Sequence, residues 1–254
     1  MSRRPEPAKS WEERLRPLPA LAVPLVLCVL AYAVALRGAL QFDDFHTVAE
    51  NDALLSPWAL LASTPRRLLA GDRVVVELTF ALDRAVGGLD PLPYHLTSLA
   101  LHLVTVVLAW ALARRVLERA GHRSPRAVAL VAAGVFALHP LQTQAVTYVS
   151  QRAEVLASLF YLAGLLLLLR AEERGRTRAG LLAWLGATLA LALGIGSKLV
   201  VLTLPAAYVL VGAVFPRPGE PGGRLAAAGR RLAVVAPWLA LGAVAAVRFA
   251  RTLA

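Results

Sequence analysis

The sequence predicts an all-α fold, a polytopic membrane helix bundle of about seven spans, on three observations. The chain is 58% hydrophobic, its mean hydropathy is +0.62, and apolar runs near the length of a bilayer crossing recur along it. Its 27 basic residues fall in short clusters between those runs, as membrane topology requires. The net charge of +11 therefore reads as orientation signal, and no nucleic-acid partner is expected because no basic face or tail is present. The one cysteine, Cys28, lies inside the first apolar run, which excludes a disulfide framework and a thiolate metal site.

The expected spans are residues 18–40, 96–113, 127–138, 153–169, 180–195, 199–215 and 232–250. The first is too long for a signal-peptide core and lacks a small-residue cleavage site, so it reads as a retained anchor. The third is short. Only Gly196, Ser197 and Lys198 separate the fifth from the sixth, which predicts a tight outer hairpin or a re-entrant break there.

Orientation follows from Lys and Arg. Arg3, Arg4, Lys9, Arg14 and Arg16 precede the first span, and Arg114, Arg115, Arg119, Arg123 and Arg126 follow the second. Arg170, Arg174, Arg176 and Arg178 follow the fourth, and Arg217, Arg224, Arg230 and Arg231 the sixth. All fall on one side, which the positive-inside rule makes cytoplasmic. The chain thus divides into a cytoplasmic segment, 1–17, and a membrane domain, 18–250. The only long loop, 41–94, faces out and carries eight acids against four arginines. Its stretches SPWALLAS and RRLLAGD read as short interfacial helices, with Trp58 at headgroup level.

With that topology, Asp43, Asp44, His95, His139, Arg152, Glu154 and Lys198 all sit at the outer membrane face. Ionisable groups beside lipid are expensive, so their gathering marks a candidate site. Carboxylates with cations suit a reaction on a lipid phosphate, in which a base activates an acceptor and positive charge holds the phosphate. Each residue also has a plainer explanation. Aspartates after a span are often solvated or capping, and adjacent residues point apart, so Asp43 and Asp44 need not share a proton. His139 before Pro140 can simply end a helix. Arg152 and Lys198 can snorkel. His95 and His102, seven apart on one helical face, can bond to a neighbouring helix. No two-histidine-plus-carboxylate spacing is present, so no metal is assigned.

Four stretches, FDDFHTVAEN, VVVELTFALDRAVGGLDPLPYHLTSLALH, VFALHPLQTQAVTYVSQRAEVLASLFYLAG and LALGIGSKLVVLTLP, resemble the membrane half of the transmembrane and tetratricopeptide-repeat O-mannosyltransferases and their bacterial relatives. These belong to the multi-span GT-C glycosyltransferase class. The resemblance runs from Phe42 to Pro205. It implies transfer of a mannose-like sugar, with inversion, from a polyprenyl-phosphate carrier to a hydroxyl on a protein or glycolipid. It makes Asp43 the base or acceptor-positioning group, with Asp44 beside it, gives the donor phosphate to Arg152 and Lys198, with His139 third, and leaves Glu154 and His95 as further candidates. No cofactor is expected beyond the lipid-linked donor, and metal dependence is left open. The setting implied is an integral protein of a bacterial inner membrane, N-terminus cytoplasmic and active face periplasmic or extracellular.

The chain departs from the family where Gln144 and Leu199 stand at expected acids. It also ends after the seventh span, without later spans or tetratricopeptide repeats, so a truncated domain is expected. A non-catalytic module that binds lipid carrier or a partner chain is the alternative function. A transporter fits less well, because the charged groups gather at one face rather than the midplane and no inverted repeat is visible.

Overall fold

The computed structural model describes residues 17–70, 72–217 and 219–253, with side chains placed for 20–68, 72–217 and 219–240. The cytoplasmic segment expected over residues 1–17 lies almost wholly outside the described residues. The described residues form helices α1 (Pro17–Tyr32), α2 (Pro57–Ala70), α3 (Val74–Gly87), α4 (Pro91–Arg119), α5 (Pro125–Leu138), α6 (Gln142–Thr147), α7 (Arg152–Arg174), α8 (Arg178–Ile195), α9 (Leu204–Val214) and α10 (Gly223–Leu253), and no strand. The protein is an all-α membrane helix bundle. Four helical segments are long and apolar enough to cross a bilayer, Ala20–Arg37, Pro91–Arg119, Val149–Arg174 and Arg178–Ile195, and two shorter apolar ones, Pro125–Leu138 and Leu199–Val214, stand where the third and sixth spans are expected.

The contacts divide the chain into two compact units, Met1–Leu60 with Glu77–Val155 and Leu61–Val76 with Leu156–Ala254. In the first, α4 opens on Asp90, whose side chain accepts the Leu92 N–H at 3.0 Å, followed by Pro91 at the first helical position. A side-chain acceptor satisfies one orphan N–H, and proline costs no bond at that point. Helix α5 packs along α4 and α1 through Ala129, Ala133 and Ala137, all buried. Alanines four apart let helix backbones approach closely inside a membrane. Cys28, Tyr32, Leu99, Val106 and Val146 complete this core. His102 lies within it and donates from Nε2 to the Ala137 carbonyl at 3.3 Å.

Residues 41–94, expected as a loop with short interfacial helices, are mostly helical: a π-helical segment Phe45–Ala49, a 3-10 turn Asp52–Leu55, then α2 and α3. The 57–63 part of SPWALLAS and the 66–70 part of RRLLAGD belong to the single helix α2 rather than to two. Trp58 is exposed on it.

In the second unit, Thr177 caps α8 by accepting the Gly180 N–H at 3.2 Å. The join after α8 is a short turn at 196–198 leading into a 3-10 segment, Leu199–Thr203, and the Gly196 carbonyl there accepts the Val75 N–H at 3.1 Å. Gly194 leaves room for Val201, whose Cγ1 would lie 2.6 Å from an added Cβ. α9 and α10 pack together. Trp184 of α8 stacks on Trp238 of α10 at 6.0 Å between ring centres, each indole N–H being satisfied, by Val234 O and Thr188 Oγ1.

Candidate functional site

Just beyond the first span the backbone turns sharply at Phe42, whose φ is +46°. A bulky side chain rarely adopts that left-handed region, so the turn is held by its surroundings. Asp44 supplies one constraint. It is 1% exposed, and its carboxylate accepts the Gln41 N–H at 3.0 Å and the Ser150 N–H at 2.7 Å. Tyr148 supplies another, its hydroxyl accepting the Asp43 N–H at 3.0 Å while its ring meets Phe42 edge-on. The Thr47 hydroxyl donates to the Asp43 carbonyl. Both Asp44 oxygens are thereby committed to backbone, which offsets the cost of burying a carboxylate. Asp43 is exposed, and among the described residues its carboxylate is engaged by no hydrogen bond or ion pair.

Behind the turn lies a cleft of about 470 Å³ bounded by Tyr32, Gly38, Gln41, Asp44, His95, Thr143, Thr147 and Tyr148. His95, 3% exposed, faces the Gly38 carbonyl from Nε2 at 3.1 Å. A carbonyl only accepts, so Nε2 carries the proton and Nδ1 presents a lone pair. That Nδ1 is buried and without a hydrogen-bond partner among the described residues. The cleft pairs hydroxyl groups, from Thr143, Thr147, Tyr32 and Tyr148, with an apolar side formed by Val34, Ala35 and Leu138, a lining that can hold an amphiphilic, hydroxyl-bearing group.

Arg152 behaves differently from the expected phosphate ligand. Its side chain is 0% exposed and pairs with Asp83 at 2.6 Å. It also donates to Ser98 Oγ at 3.2 Å, Thr79 Oγ1 at 3.1 Å and the Tyr94 carbonyl at 2.7 Å, and lies 4.5 Å over the Phe80 ring. Asp83 accepts in addition from Thr97. In this arrangement the guanidinium is spent inside the first unit, tying α3 and α4 to the start of α7. The reason is physical: a cation removed from water is tolerated only with partners on nearly every donor.

His139 ends α5 in an extended conformation, is exposed, and its Nδ1 accepts the Leu141 N–H at 3.2 Å. Glu154 is partly buried on the first turn of α7. Lys198 belongs to the second unit, where it starts the 3-10 segment and borders a small hollow with Arg73. Of the expected site residues, the structure thus brings Asp44 and His95 to one cleft, leaves Asp43 exposed next to Asp44, places Arg152 within the same unit as a buried tie, and assigns Lys198 to the other unit. No group of three metal-ligating side chains gathers among the described residues.

A profile of dolichyl-phosphate-mannose-protein mannosyltransferases matches residues 75–249, most of the chain. The chain belongs to this mannosyltransferase family. It is 30% identical over 165 residues to protein O-mannosyl-transferase Tmtc3 of Drosophila melanogaster, 56% of this chain and 18% of that one. To protein O-mannosyl-transferase TMTC1 of Mus musculus it is 31% identical over 187 residues, 67% of this chain and 19% of the relative. To TMTC2 of Homo sapiens it is 31% identical over 145 residues, 53% and 17%. The mannosyltransferase-family chain spans under a fifth of the length of these curated relatives. No solved structure matches it.

Sequence reasoning missed Asp83, Tyr148, Thr143 and Thr147. Asp83 had a signal: Val76, Phe80 and Asp83 fall on one helical stripe, so a carboxylate on the buried face of α3 calls for a buried cation. Tyr148 had none, since nothing local announces a partner for Asp43 more than a hundred residues away.

Proposed function

We propose that this chain is the membrane part of a GT-C-type glycosyltransferase that moves a mannose-like sugar from a polyprenyl-phosphate carrier to a hydroxyl on a protein or glycolipid at the outer membrane face. The carrying observation is the division of labour between two adjacent aspartates. Asp44 is spent on holding the turn and borders the cleft; Asp43, next to it in the chain, is left exposed with its carboxylate unengaged. In the reading, the Asp43 carboxylate takes the proton of the acceptor hydroxyl as its oxygen bonds to the anomeric carbon. The bond from that carbon to the carrier phosphate breaks, and the phosphate leaves with the electron pair. General-base assistance of this kind contributes about 10²–10⁴ in rate. The cleft hydroxyls of Thr143, Thr147 and Tyr148 would orient the polyhydroxyl partner. The phosphate role given to Arg152 would require its buried pair with Asp83 to open; the role given to Lys198 concerns the second unit and is tested there by Lys198→Gln. His139 and Glu154 stay outer-face candidates.

The test is transfer by membranes carrying the chain, offered a labelled polyprenyl-phosphate mannose and a panel of hydroxyl acceptors. The reading expects label in an acid-stable, acceptor-linked form. Donor binding without transfer from any sugar would support the second reading, a non-catalytic module of the same family. The commitment of Arg152 to Asp83 favours that alternative, because it removes a cation the chemistry would use.

A further inference from the structure

The second unit contains a cavity of about 700 Å³, formed by the end of α7, the start of α8, Arg217 and Glu220, and the first turns of α10. Five arginines line it against two glutamates, Glu172 and Glu220, and those two acids are already engaged. Glu220 accepts from Arg230 at 2.8 Å, from Arg231 at 3.0 Å and from the Arg217 N–H at 3.0 Å. Glu172 pairs with Arg231 and Arg217. Arg176 and Arg178 are exposed at the rim and form no ion pair among the described residues. Arg231 is 1% exposed, its Nε packed against Gly212 of α9 and its other nitrogens spent on Glu172, Glu220 and the Ala227 carbonyl. Against this basic lining stand apolar walls from Leu181, Trp184 and Val234.

Positive charge left over after the acids are paired and an apolar wall at the end of two membrane spans define an amphiphilic anion as occupant. We propose that this cavity binds the headgroup of an anionic phospholipid from the leaflet at the Arg-rich ends of the spans, its phosphodiester meeting Arg176 and Arg178 and its chain lying against Trp184. Charge complementarity selects the anionic lipid over a zwitterionic one, and the apolar wall selects a lipid over a free anion. The inference concerns α7 to α10 alone and does not depend on the transfer reaction.

The full chain is reconstituted in phosphatidylcholine vesicles containing a small fraction of either brominated phosphatidylglycerol or brominated phosphatidylcholine, and tryptophan quenching is compared. The anionic lipid should quench more strongly, and Trp184→Phe should remove most of the difference. With each basic residue contributing on the order of 1 kcal/mol near an anionic surface, Arg176→Gln with Arg178→Gln should lower the preference about tenfold or more. Arg123→Gln with Arg126→Gln, equal in charge and in the other unit, should leave it intact. Equal quenching by both lipids, or a preference untouched by the Arg176 and Arg178 substitutions, overturns the proposal. So does loss of the preference on adding inorganic phosphate at constant ionic strength, which would assign the site to a free anion.

Discussion

The carboxylate of Asp44 receives the backbone N–H of Ser150 at 2.7 Å, closing a separation of 106 residues in one contact. Its other oxygen takes the Gln41 N–H, so the same residue fixes the turn after the first span and anchors it to the segment leading into α7. The neighbouring Asp43 is left outside that lock.

Asp44→Asn should therefore destabilise the fold. An amide keeps one acceptor oxygen and turns an NH₂ toward an N–H donor, and an unsatisfied buried group costs about 1–3 kcal/mol. Thermal unfolding in detergent should show the loss for Asp44→Asn and no comparable loss for Asp43→Asn. Equal stability of both variants would contradict the assignment of Asp44 to structure.

Arg152→Ala should be more damaging. Removing one partner from a buried ion pair leaves an uncompensated charge, at a cost of about 3–5 kcal/mol. Arg152→Lys should rescue little, because one ammonium cannot reach Asp83, Ser98, Thr79 and the Tyr94 carbonyl together. Arg152→Met combined with Asp83→Leu should recover part of the stability, which a thermal-unfolding series across the four chains would show.

These cases mark where the sequence was legible. Helices followed from apolar run length: four expected spans fall on segments long and apolar enough to cross a bilayer, and the third and sixth on shorter apolar helices. The 41–94 stretch was read as a loop with brief helices because its apolar runs are too short to cross a bilayer and are broken by charges, yet Leu60, Val76 and Phe80 are buried and help to hold α2 and α3. Asp43 and Asp44 stood out as acids directly after a span. Which of them turns inward was not readable, since it depends on the left-handed backbone at Phe42. Arg152 was visible as a cation at the start of a span, but its partner Asp83 lies on another helix, and pairing across the fold leaves no local trace. The two histidines seven apart in α4 do bond to neighbouring backbone, at Gly38 and Ala137, as their shared face suggested.

Gly212 allows α9 to pass Arg231. An added Cβ would lie 1.8 Å from the Arg231 Cδ and Nε, forcing that side chain away from Glu172 and Glu220. Overpacking typically costs about 1–3 kcal/mol, so Gly212→Ala should lower the unfolding temperature. Gly229→Ala, with open space at its Cβ, should be neutral or stabilising by up to about 1 kcal/mol from helix propensity.

The Glu220 carboxyl gives the protein an acid limit. Burial works to raise its pKa, but hydrogen bonds from Arg231 and Arg230 and from the Arg217 N–H outweigh burial and hold it at about 2, against an ordinary 4.5. A group depressed on folding contributes stability above its unfolded value and loses it as pH falls through the folded value. Stability should thus decline between pH 4.5 and about 2, and Glu220→Gln should flatten that part of the profile in a pH-dependent unfolding titration.

The most direct measurement is sugar transfer from a polyprenyl-phosphate donor by membranes carrying wild-type chain or Asp43→Asn at matched expression. The account predicts a loss of about 100-fold or more for Asp43→Asn, the scale of a missing general base, with unfolding temperature unchanged. Transfer at the wild-type rate in that variant would remove Asp43 from the chemistry and contradict the central claim.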